Sequence, residues 1–148
     1  MYSNGIQSYR RTNVVTADPK RLVLMCYEGA VDSLKLGRQK IIEKDYEEKG
    51  KALTKFQDII NELLCSLDFE KGGPIARNLD SLYNYMLRRI IHAGLKNDIG
   101  AIDEVIGMLG ELKSAWEEIF YKQAIEIQPE ATGFEGEREG QSLGDVSV

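Results

Sequence analysis

The punctuation between its apolar stretches does most to limit what this chain can fold into. Asp18-Pro19, Lys44-Asp45, Gly72-Gly73-Pro74 and Asn97-Asp98 separate segments whose apolar residues recur at helical spacing. Asp18 suits a helix N-cap, and Pro19 the first helical position, where its missing N–H costs nothing. Asp45 with Glu48 three residues on has capping-box spacing. Gly72-Gly73-Pro74 breaks the chain and restarts it, and Asn97 tolerates a left-handed helix end while Asp98 caps the next helix. The spacing predicts helices from Pro19 to about Lys44, Asp45 to about Leu67, Pro74 to the Asn97-Asp98 junction, and Ile99 to about Gln123. No strand pattern competes. Short links between long helices force antiparallel neighbours, so the expected fold is all-α, an up-down-up-down four-helix bundle.

In this reading the bundle occupies residues 18–123, behind an N-terminal strap at 1–17 and ahead of an acidic, disordered tail at 124–148. The tail holds six acids against Arg138, which equals the net charge of −5 of the whole chain. The body is therefore balanced, which argues against nucleic acid as a partner, since duplex binding needs a concentrated basic face. The longest apolar run, Leu22 to Tyr27, is far too short to span a bilayer, and residues 1–16 lack the apolar core of a secretory signal. The expectation is a cytoplasmic protein with no membrane insertion.

The catalytic inventory is thin. His92 is the single histidine, and Arg89 precedes it where a di-iron bundle places the glutamate of its Glu-x-x-His motif. Cys26 and Cys65 are too few for a disulfide scaffold or a zinc motif and read as reduced thiols. Arg10-Arg11 and Arg88-Arg89 lack a glycine-rich phosphate loop beside them and read as solvated or ion-paired charge. The acids Glu43, Asp45, Glu47 and Glu48 are matched by Lys44, Lys49 and Lys51, a solvated helix end. The chain reads as no enzyme, without a catalytic, cofactor or metal site.

Two helices carry more apolar surface than a bundle consumes. Between Leu22 and Leu34 only Glu28, Asp32 and Ser33 are polar, and beside the inner stripe runs a second one, Val23-Tyr27-Val31. The third helix repeats this with Tyr83-Leu87-Ile91. Each bundle helix has two adjacent partners, so a homodimer interface, a strap or a foreign segment must cover the excess. Tyr9, Val14 and Val15 are placed to form that strap. Glycines inside helices (Gly29, Gly37, Gly94, Gly100, Gly107 and Gly110) point to close approach between bundle helices rather than to a ligand groove.

The stretches "GIQSYRRTNVVTADPKRLVLMCYEGA", "LDFEKGGPIARNL" and "LYNYMLRRIIHAGLKND", with Trp116 later, resemble the flagellar secretion chaperone FliS family over residues 1 to about 123. The resemblance implies a cytoplasmic export chaperone that uses no cofactor. It would bind the disordered C-terminal segment of flagellin, prevent premature polymerisation and present its client to the export gate protein FlhA. Ile6 and Tyr9 match positions that the family uses toward the gate. Helical geometry assigns the client groove to Val23, Tyr27, Val31, Tyr83, Leu87 and Ile91, with Val14 and Val15 as apolar cover. The rival reading is a homodimeric regulatory or structural protein that pairs the same stripes and has no client.

Overall fold

The computed structural model describes residues 19–127. They form four helices, α1 (Pro19–Glu43), α2 (Tyr46–Cys65), α3 (Phe69–Lys96) and α4 (Ile99–Ile127). The links are two or three residues long, so consecutive helices run antiparallel. α1 packs against α2 and α4, and α3 packs against the same two. The result is an up-down-up-down four-helix bundle in which α1 and α3 stand diagonally opposite. Asp18, the strap at 1–17 and the tail from Gln128 onward lie outside the described residues. No helix among the described residues is long and apolar enough to cross a membrane.

The junctions form for the reasons their residues suggest. Asp45 Oδ1 accepts the Glu48 N–H at 3.3 Å, and Asp98 Oδ1 accepts the Ala101 N–H at 3.1 Å. Lys44 (φ 63°) and Asn97 (φ 53°) end α1 and α3 in the left-handed region. The next N–H in each case, from Asp45 and Asp98, reaches back to the carbonyls of Lys40 and Ala93 at 2.8 and 3.1 Å, closing both helix ends. Gly73 adopts φ 50° and ψ −127°, a kink that a Cβ would strain, and Pro74 restarts the helix behind it.

Two boundaries differ from the sequence expectation. α3 starts at Phe69, ahead of the kink, because Asp68 Oδ1 accepts the N–H groups of Glu70 and Lys71 at 3.1 and 3.0 Å. α4 continues to Ile127, so residues 124–127 belong to the bundle helix and not to the tail; no helix breaker occurs before Pro129.

The core is one apolar cluster. Leu53, Phe56, Ile59, Ile60 and Leu63 of α2 face Leu34 of α1, Leu79, Met86 and Ile90 of α3, and Ile102, Val105 and Leu109 of α4. Close approach explains Gly37, where an added Cβ would stand 2.7 Å from Leu53 Cδ2. It does not explain Gly107 and Gly110, whose Cβ positions meet nothing within 4 Å. Polar pairs fasten the first half of α4 to both neighbours: Arg38 of α1 bonds Asp103 at 2.8 Å, and Arg89 of α3 bonds Glu104 at 2.9 Å. Both cysteines are free thiols; Cys26 is half-buried, while Cys65 is exposed and fills no core space.

Candidate functional site

The two outer stripes expected from the sequence are not two outer stripes. Tyr27 and Tyr83 lie in the centre of the core, fully buried or nearly so. Their hydroxyls meet across the bundle diagonal at 2.7 Å, and Trp116 Nε1 of α4 donates to Tyr27 Oη at 2.9 Å. The rings approach edge-on, with centroids 6.5 Å apart. Burial pushes both phenols above the ordinary tyrosine range, so both remain protonated hydrogen-bonding groups near neutral pH. Trp116 also stacks on Phe120 at 5.3 Å, and Lys20 Nζ lies 5.8 Å from the Phe120 ring centroid. An exposed client groove therefore cannot include Tyr27 or Tyr83 in this state; they are its foundation.

The physical reason is the pitch of the helix. Each step of four residues turns through about 400°, so an i, i+4 stripe advances about 40° around the cylinder at every step. On α1 the stripe is centred on the core at Tyr27, with Val23 and Val31 half-buried at its edges. On α3 it begins in the core and walks outward: Tyr83 is 2% exposed, Leu87 half-buried, Ile91 50% and Leu95 78% exposed. Leu95 is one more step of the same spacing, which the sequence expectation leaves out. The surplus on α1 is real but sits at its start, where Leu22, Val23, Leu24, Met25 and Cys26 are all half-buried. Ile6, Tyr9, Val14 and Val15 lie outside the described residues.

α2 completes the exposed end of the α3 stripe. Lys49 Nζ donates to the Gly94 carbonyl at 2.9 Å and to Asn97 Oδ1 at 2.8 Å, and stands 5.1 Å from the centroid of the exposed Tyr46 ring. Tyr46, Ile91 and Leu95 are thus large apolar side chains left in water around the end of the α2–α3 seam. The other flank of α3 is polar at this height: Tyr85 and Arg89 both bind Glu104, and His92 pairs with Asp98 at 3.2 Å. The work open to this surface is burial of an apolar partner, with Lys49 and the helix end fixing its floor.

Comparison with known proteins agrees with this character. The family model described as Flagellar protein FliS matches residues 2–123. The chain is 41% identical over 132 residues to the flagellar secretion chaperone FliS of Salmonella typhimurium, covering 85% of this chain and 98% of that protein. It is 36% identical over 125 residues to the flagellar secretion chaperone FliS of Bacillus subtilis, covering 84% of this chain and 89% of that protein. With the flagellar secretion chaperone FliS of Escherichia coli the identity is 34% over 135 residues, covering 87% and 99% of the two chains. The match takes in all four helices, and this chain belongs to the flagellar protein FliS family.

Proposed function

We propose that this protein is a cytoplasmic flagellar export chaperone, a binding protein without catalytic chemistry. It holds the C-terminal segment of flagellin, keeps it from polymerising and presents it to the export gate protein FlhA. The observation that carries the reading is the match to relatives named flagellar secretion chaperones across most of both chains. The α3 stripe supports it physically. A segment that becomes an amphipathic helix as it binds needs an apolar surface to lie on, and Leu87, Ile91, Leu95 and Tyr46 offer one. Val23 and Val31 flank Tyr27 at the other end of the diagonal and meet a further part of the client. Tyr27 and Tyr83 take part by holding the two faces in register.

In the same reading Val14 and Val15 cover the half-buried start of α1, and Ile6 and Tyr9 engage FlhA. A strap tethered beside Pro19 competes at high effective concentration for any client that approaches that end.

Light scattering on a sizing column tests the reading against the homodimer. The chaperone predicts a one-to-one complex with a C-terminal flagellin peptide, formed from a monomer or by dissociating a dimer. A dimer whose mass the peptide leaves unchanged would refute it.

A further inference from the structure

α3 has a second apolar flank, turned away from Leu87 and Ile91. On its seam with α4, Leu82 together with Met108, Glu111 and Leu112 lines a cleft of ≈ 140 Å³. One turn above, Tyr85 and Arg89 close the seam through Glu104. Toward the other end, the antiparallel register brings the exposed Ile75 of α3 to the level of the exposed Ala115 on α4.

The charges beside this cleft are unbalanced. Glu111 and Glu118 stand on its α4 rim seven residues apart, on one face of the helix and about 10 Å from each other by helical rise. Neither has an ion-pair partner among the described residues, whereas Asp103, Glu104 and Glu117 are paired with Arg38, Arg89 and Lys113. Beyond the rim, the open space at Gly107 and Gly110 lets a rod lie close to the α4 backbone. A second copy of α4 would set acids against acids. A helix with a lysine or arginine at two positions seven apart would neutralise both carboxylates.

We propose that the α3–α4 seam docks a basic amphipathic helix of a second protein. Its apolar face is seated between Leu82, Met108 and Leu112, and its basic residues pair with Glu111 and Glu118. This surface lies on the opposite flank of α3 from Leu87 and Ile91, so a client and a second helical partner can be held together. The inference does not rest on flagellin being the client.

The test uses the full chain, isotope-labelled for NMR, and a synthetic stapled helix with a Leu/Ala face and lysines seven residues apart. A version with glutamates in their place is the control. The proposal expects shifts at Leu82, Met108, Leu112 and Ile75 with the lysine helix and none with the glutamate helix. Glu111→Lys and Glu118→Lys, both at exposed positions, should each weaken the lysine helix by about twofold to fivefold, and together favour the glutamate helix. Equal binding of the two helices, or shifts centred on Leu87 and Ile91, would overturn it. So would a peptide of residues 1–18, or a second copy of the chain, producing the Leu82–Met108 shifts in place of the helix.

Discussion

Removing the Tyr27 hydroxyl is the perturbation whose size the structure defines best. Tyr27 Oη is the hub of the buried polar triad: it accepts the Trp116 N–H at 2.9 Å and shares a hydrogen with Tyr83 Oη at 2.7 Å. Tyr27→Phe keeps the ring and opens almost no cavity, so packing loss is small. It leaves the Trp116 N–H and the Tyr83 hydroxyl without this partner inside the core. Each such orphan costs about 1–3 kcal/mol, partly offset because one hydroxyl no longer has to leave water, giving a net loss of about 2–4 kcal/mol. Tyr83→Phe breaks a single bond and leaves Tyr27 to hold Trp116, so it should cost only about 1 kcal/mol. In the double variant the second change removes a group already orphaned, and the total should fall about 1 kcal/mol short of the sum. Urea unfolding followed by far-UV circular dichroism measures all three without relying on the tryptophan signal. If Tyr83→Phe proves as damaging as Tyr27→Phe, or if the two losses simply add, the hub assignment is wrong.

Individual contacts set the remaining expectations. Gly37→Val, with Leu53 Cδ2 already 2.7 Å from the Cβ position, should destabilise by about 1–3 kcal/mol. Gly107→Ala, facing open space, should stabilise by about 0.5–1 kcal/mol in the same urea assay. Asn97→Ala forces a Cβ without a polar tip into φ 53° and removes the Lys49 bond, costing about 1–2 kcal/mol, while Asn97→Gly should recover the backbone part of that loss. At the alkaline end, the raised pKa values of Tyr27 and Tyr83 mean that the unfolded chain gives up its phenolic protons first. Stability should hold below about pH 10 and fall as the pH rises past it, with the two buried tyrosines silent in an ultraviolet tyrosinate titration until the protein unfolds.

What could be read in advance divides along the range of the interaction. Helix ends are local events, and Asp45-x-x-Glu48, Gly73-Pro74 and Asn97-Asp98 state them within a few residues. The Asp68 cap is equally local, but the stronger break at Gly73, five residues later, masks it. The partner surface depends on which helices stand diagonally and on how far each stripe has rotated when it leaves the core. A stripe of three residues spaced by four covers about 80° of the cylinder and looks the same whether it is centred on the core or departs from it. That is why Val23-Tyr27-Val31 and Tyr83-Leu87-Ile91 look alike in sequence, though one is anchored in the core and the other emerges from it. The hydrogen bond between Tyr27 and Tyr83 joins residues 56 positions apart, and that with Trp116 spans 89. No local pattern encodes either.

The central claim is that this bundle holds the C-terminal segment of flagellin on the outward-turning stripe of α3. Calorimetric titration with that flagellin segment, on the protein and on its Ile91→Asp/Leu95→Asp variant, tests it most directly. Both substitutions fall on exposed positions, so the fold should persist, which circular dichroism can verify. The account predicts binding with a negative heat-capacity change for the unchanged protein, and at least a tenfold loss, about 1.4 kcal/mol, for the variant. Undiminished affinity in a folded variant would remove the client from this face of α3, and no heat with either protein would contradict the chaperone reading itself.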